Sequence, residues 1–169
     1  MNYHNILKCD MLNGEGLRVI LFVSGCSNHC PGCHNPQTWD SKSGIEFDDN
    51  AFNEVLNSLE PDYISGITFS GGDPMHEGNI DEVLRIIKAV RARYRFTKNI
   101  WVYTGYTFEY LKSRDLVTKS ILEMSNVLVD GRFLLDQKDR ELHYRGSRNQ
   151  RIIDIQKSLL SDQVVTIDL

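Results

Sequence analysis

Cys26-Ser27-Asn28-His29-Cys30-Pro31-Gly32-Cys33 places three of the chain's four cysteines within eight residues, with gaps of three residues and then two. Thiolates spaced this way on one loop are soft ligands suited to zinc or to an iron–sulfur cluster. A structural zinc site takes four protein ligands, and a cubane cluster normally takes four cysteines, one per iron. A three-cysteine cubane would leave one iron open to bind and polarise another molecule, much as catalytic zinc keeps a position for water or substrate. His29 or His34 could instead complete a Cys3His zinc site, so spacing alone leaves both metals open. Cys9 stands well upstream and reads as a small, partly buried thiol. A disulfide framework does not suit a chain this long and this poor in cysteine.

An alternation of apolar runs and amphipathic segments must position that loop. Residues 18–24 form a short, nearly continuous apolar run that ends at Gly25, as a buried strand feeding the first cysteine would. Phe52, Val55, Leu56 and Leu59 fall at helical spacing after the cap candidates Asp48, Asp49 and Asn50. Residues 63–69 are strand-like and are broken by Ser70-Gly71-Gly72-Asp73-Pro74. A second helix is expected from Asn79, with Glu82 as capping-box partner and Ile80, Val83, Leu84, Ile87 and Val90 on one face. Residues 100–103 are the next strand, followed by one polar helical region with Leu111, Leu116, Ile121 and Leu122, and then by a strand at residues 127–130.

This βαβαβαβ pattern predicts an α/β fold with a mostly parallel sheet and right-handed crossovers, whose ligands gather at the carboxyl ends of the strands. The cysteine loop, Gly71-Gly72-Asp73, Thr104-Gly105 and Asp130-Gly131 would then share one rim. Residues 152–155 and 164–167 are further strand candidates, although the pattern weakens over about 151–169. An eight-unit barrel of about 250 residues does not fit 169. A partial, open (β/α) barrel in a single domain is expected.

Composition excludes several classes. The chain is 41% hydrophobic and 25% charged with a net charge of −4, which disfavours bulk nucleic-acid binding. At this length about 70% of the unfolded surface should be buried, so no internal staple is required. The start lacks a signal-peptide pattern, and residues 19–23 are far short of the roughly 20 apolar residues that span a bilayer. A reducing cytoplasm, with no membrane partner, is the expected setting. Arg85, Lys88, Arg91, Arg93, Arg95 and Lys98 make one locally basic stretch, read as a solvated helix face or a docking patch for an acidic electron carrier. Met11, Met75 and Met124 read as packing, and His4, His76 and His143 as ordinary polar residues.

The Cys26-x3-Cys30-x2-Cys33 loop after one strand, with Ser70-Gly71-Gly72-Asp73-Pro74 after the next, resembles the radical S-adenosylmethionine superfamily. Asn13-Gly14-x-Gly16, Pro31-Gly32-Cys33-His34-Asn35, Trp39, Trp101-Val102-Tyr103-Thr104-Gly105-Tyr106 and Val127-Leu128-Val129-Asp130-Gly131 are similar to one branch, the activating proteins of anaerobic ribonucleoside-triphosphate reductases. The likeness runs from about residue 2 to residue 150. It implies the superfamily's type of partial barrel and a 4Fe-4S cluster on Cys26, Cys30 and Cys33, with S-adenosylmethionine on the open iron. The activity implied is reductive cleavage of that cofactor, whose 5′-deoxyadenosyl radical takes hydrogen from a partner glycine. The implied partners are the reductase large subunit and an electron donor such as reduced flavodoxin.

Cofactor contacts implied by the resemblance fall on Gly32, Cys33, His34, Gly71, Gly72, Asp73, Thr104 and Asp130. Gly32 stands where the wider superfamily often has an aromatic residue; backbone near Gly32 and the His34 ring are the expected substitutes against adenine. Gly71 and Gly72 would let backbone approach the methionyl group, and Asp73 would pair with its ammonium. The donor-rich segment 145–150, led by Arg145, would contact the reductase or close over the cofactor. Activation of another glycyl-radical enzyme, or a zinc-stabilised interaction module, are the alternatives.

Overall fold

In the computed structural model, which describes residues 1–169, seven strands form one sheet: β1 (Asn2–Asp10), β2 (Leu17–Val23), β3 (Ile45–Glu46), β4 (Ile64–Gly71), β5 (Asn99–Tyr103), β6 (Val127–Asp130) and β7 (Arg151–Asp154). Their order is β3-β1-β2-β4-β5-β6-β7. The centre, β2-β4-β5-β6, is parallel, as the alternation predicts. β1 and β7 flank it antiparallel, β3 pairs antiparallel with β1, and the sheet does not close. Five helices follow the strands: α1 (Asp49–Ser58), α2 (Ile80–Tyr94), α3 (Phe108–Arg114), α4 (Leu116–Met124) and α5 (Ile155–Ser161).

The period of two along each strand sorts side chains to opposite faces. Val19, Leu21, Val23, Ile67, Phe69 and Val102 point to the face that every buried apolar helix residue also joins, making one core of 25 residues. Each fully buried aliphatic side chain there contributes roughly 1.5–3 kcal/mol. The opposite face carries a smaller cluster, Trp101, Val127, Val129 and Ile152, with Tyr103 and Tyr144 packed against it. Arg18 is fully buried on that face. Its guanidinium donates to Thr68 Oγ1 (2.8 Å), the Ile67 carbonyl (2.8 Å), the Glu15 carbonyl (3.0 Å) and Asn99 Oδ1 (2.5 Å), and lies 5.3 Å from the Trp101 ring centroid. Burial pulls its pKa down to about 10.

The sequence pattern marks no strand before residue 18: β1 has no clean alternation and is half-exposed, pairing antiparallel with β2 and β3 outside the βα repeat. Several expectations are corrected. The helical region after Thr107 is two helices, broken at Asp115, whose carboxylate caps α4 through the Thr118 amide (2.7 Å). Residues 152–155 do hold a strand, but it runs antiparallel, and residues 164–167 contribute only a single bridge, Ile153 to Thr166. Asn79 makes no cap with its side chain, and Glu82 pairs with Arg85 instead. The basic stretch is not one solvated face: Lys98 is buried on the Pro61 and Ile64 carbonyls, and Arg91 turns inward. Cys9 and Met11 are exposed, whereas Met75 is fully buried and Met124 packs half-buried on the core. His4 pairs with the sequence-distant Ser43 Oγ, and His76 accepts from the nearby Gly78 amide.

Candidate active site

The carboxyl ends of β2, β4, β5 and β6 lead directly into the cysteine loop, Gly71-Gly72-Asp73, Thr104-Gly105 and Asp130-Gly131. Main-chain bonds lock the first two together. The Gly72 amide donates to the Val23 carbonyl (2.8 Å) and the Asp73 amide to the Gly25 carbonyl (2.8 Å). On the other side the Gly25 and Cys26 amides donate to the Thr38 and Trp39 carbonyls (2.7 and 3.0 Å). Gly71 sits at φ +97°, and a side chain on Gly71 or Gly72 would stand 2.6 Å from the Val23 or Gly25 carbonyl oxygen. The close approach these glycines permit is therefore to the chain's own β2 end.

Cys30 is buried, Cys26 and Cys33 are half-buried, and all three are free thiols. Burial pushes the Cys26 thiol up. Two N–H groups are aimed at sulfur: the Asn35 amide reaches Cys33 Sγ at 3.4 Å, and Asn28 Nδ2 reaches Cys26 Sγ at 3.8 Å. The thiols do not form a ready three-donor array, and no other group of three Cys, His, Asp or Glu side chains does so. His29, at φ +43°, lies against Trp39 with ring centroids 4.8 Å apart, and exposed His34 faces Phe133 at 6.1 Å. Gly32 turns at φ +75°, with Leu135 filling the space a side chain would need.

Cys33 and His34 form one wall of a cleft of ≈ 710 Å³, with Ser70 and Tyr103 also lining it and Tyr144, Arg145 and Gln150 contributed by the segment after β6. Tyr103 donates to the Tyr144 carbonyl (2.7 Å), and burial raises its pKa. Arg145 donates to the Gln150 carbonyl (3.0 Å), while its buried Nε has no partner.

The other expected contacts have partners within the chain. Asp73 is buried; Oδ1 accepts from the Met75 amide (2.9 Å), and Oδ2 from Asn28 Nδ2 (3.1 Å) and the Gly105 amide (3.0 Å). Burial raises its pKa against those bonds. Thr104 Oγ1 accepts from the Tyr106 amide (3.1 Å). Asp130, also buried, accepts from the Phe108 amide (2.8 Å) and pairs with Arg151. Both carboxylates brace the rim rather than project from it.

Sequence reasoning missed Asn28, Asn79 and Arg151. Buried Asn79 donates to the Ser24 and Asp73 carbonyls (2.8 and 2.9 Å), stapling the β2 end to the β4 loop. An asparagine just before a helix has the same local signature as a cap, so nothing in the sequence separates the two roles. Asn28 had one signal, its place between two candidate ligands.

The donor chemistry fits an iron–sulfur cluster. Soft thiols share one loop, with N–H groups beside two of the sulfurs, an arrangement that tunes cluster potentials, and a cleft opens beside Cys33. Residues 12–153 match a family model described as a 4Fe-4S single cluster domain. The chain is 42% identical over 152 residues to the anaerobic ribonucleoside-triphosphate reductase-activating protein of Escherichia coli (strain K12), covering 89% of this chain and 96% of that one. It is 40% identical over 152 residues to the protein of the same name from Enterobacteria phage T4, covering 90% and 93%. For the Haemophilus influenzae protein of that name the identity is 41% over 154 residues, covering 90% and 97%.

Proposed function

Because this chain belongs to the family of anaerobic ribonucleoside-triphosphate reductase-activating proteins, we propose that it activates such a reductase by reductive cleavage of S-adenosylmethionine at a 4Fe-4S cluster. The observation that carries this is three free thiols on one loop, at the carboxyl ends of parallel strands and beside a cleft of ≈ 710 Å³. Cys26, Cys30 and Cys33 would hold the cluster, and the open sheet would be the partial barrel typical of radical S-adenosylmethionine enzymes. A cluster held there would supply the single electron for that cleavage, the carbon–sulfur bond of the sulfonium being the one that breaks, and the proposed outcome is a glycyl radical on the reductase.

The chain's own residues bind, orient and shield. Cys33 and His34 line the cleft, and with the neighbouring Gly32 they are the proposed contacts for the cofactor's adenine end. Gly71, Gly72 and Asp73 hold the cysteine loop against β4, and Thr104 and Asp130 hold the neighbouring strand ends; they act on the cofactor through that frame. Tyr103 keeps its phenolic proton on the Tyr144 carbonyl, which braces the far wall. Tyr144 and Phe133 supply aromatic lining to the cleft. The partners proposed are the large subunit of the anaerobic reductase and a low-potential donor such as reduced flavodoxin.

Anaerobic reconstitution with iron and sulfide, followed by dithionite and S-adenosylmethionine, tests this. The expected result is iron-dependent visible absorbance and 5′-deoxyadenosine, with a glycyl radical on added anaerobic reductase. A colourless protein that takes zinc and cleaves nothing would sink the proposal. A radical formed only on another glycyl-radical enzyme would reassign the partner.

A further inference from the structure

Asn28 is the one side chain within the cysteine loop that reaches both a sulfur and the neighbouring strand-end loops. Its Nδ2 lies 3.1 Å from Asp73 Oδ2 and 3.8 Å from Cys26 Sγ. A primary amide carries two protons on that nitrogen, so one can serve the carboxylate while the other points at sulfur. Both Asp73 oxygens already accept from backbone amides, so the N–H end of the Asn28 amide is the one that faces them. Asp73 is itself held by the Met75 and Gly105 amides. The Asn28 carbonyl accepts from Arg132 Nη2 (2.5 Å), which fixes the backbone on the other side. Gly105 completes the clamp: a side chain there would stand 2.3 Å from Asn28 Nδ2.

We propose that Asn28 is a positioning residue that holds an N–H against the Cys26 sulfur and thereby raises the reduction potential of the cluster, with Asp73 orienting the amide and Gly105 leaving it room. The role rests on the cluster proposed above. An N–H donated to a ligand sulfur stabilises the more electron-rich, reduced state, so removing it lowers the potential. Neither Asp73 nor Gly105 needs to touch the metal for this. A buried carboxylate and a glycine in the next loop then have an electronic consequence at the first cysteine.

Potentiometric titration of the reconstituted full-length chain, monitored by electron paramagnetic resonance without S-adenosylmethionine, tests the role. Asn28→Ala is expected to lower the midpoint potential and alter the reduced-cluster line shape. Gly105→Ala, whose side chain would displace the same amide, should also shift the potential, even if Asn28→Ala loads cluster poorly. Ser27→Ala, whose hydroxyl faces Tyr106 at 3.3 Å instead of a sulfur, should leave the potential where it was. Unchanged potentials in the Asn28 and Gly105 variants, or an equal shift in the Ser27 variant, would overturn the role. A wild-type chain that takes up no iron would instead remove the cluster itself.

Discussion

Arg151 stands between two carboxylates, donating to Asp130 at 2.9 and 2.5 Å and to Glu109 at 3.0 and 2.8 Å. Its hydrogen bonds hold the Glu109 carboxyl down to about 2. A carboxyl lowered in the folded state stabilises fully above its ordinary value of about 4.3, and loses that contribution as pH falls toward its folded value. The melting-temperature gap between wild type and Glu109→Gln should therefore be widest above about pH 5 and close towards pH 2. Glu109 is more than half exposed, so salt should narrow the gap. A gap constant across that range would exclude the ion pair as its source. Arg145 is the other residue with a distinct forecast, because it lines the cleft with an unpartnered Nε. Arg145→Ala should reduce glycyl-radical yield on the reductase more than 5′-deoxyadenosine formation in its absence. Equal losses would count against a docking role.

Helix α2 is moored at its carboxyl end by Arg91, which donates to the carbonyls of Met124, Arg95 and Lys98 and to Asn126 Oδ1 at 2.7–3.0 Å. Asn126 Oδ1 also accepts from the Ile100 amide, so one guanidinium ties α2 to the starts of β5 and β6. Removing it strands several half-buried acceptors, each costing about 1–3 kcal/mol when left unpaired, partly offset by water. Arg91→Met should lower the melting temperature of the metal-free chain by about 5–10 °C, on a scale of about 2–4 °C per kcal/mol. Arg93, exposed and paired with Asn57 and Glu60 at the surface, should change stability by less than about 0.5 kcal/mol when replaced by Ala. Similar losses for the two would mean that α2 is held by its apolar face alone. The six basic residues between 85 and 98 look alike in sequence, and only the packing of α2 on the sheet separates mooring from solvation.

Strand register across the sheet decides which cysteines can cooperate. Antiparallel pairing puts Tyr3 opposite Val23 and Asp10 opposite Arg18, which carries Cys9 to the end of the sheet away from Cys26. Single Ser replacements of Cys26, Cys30 or Cys33 should each abolish stable cluster loading, measured as iron and sulfide per chain, whereas Cys9→Ser should load as wild type does. Loss of the cluster in Cys9→Ser would mean that the chain supplies a fourth ligand. The cysteine spacing, the four parallel strands and the loops at their carboxyl ends were all legible in the sequence, because ligand spacing and strand or helix periodicity are local properties of a chain. Asn28, Asn79, Asp73, Asp130 and Arg18 owe their roles to partners 21 to 81 residues away, and local pattern carries no record of such neighbours. An asparagine before a helix can cap it or staple two loops, and an aspartate at a strand end can face solvent or pair with a distant arginine. Tertiary structure alone decided between them, because the choice depends on which donor or acceptor the fold brings within hydrogen-bonding reach once water is excluded.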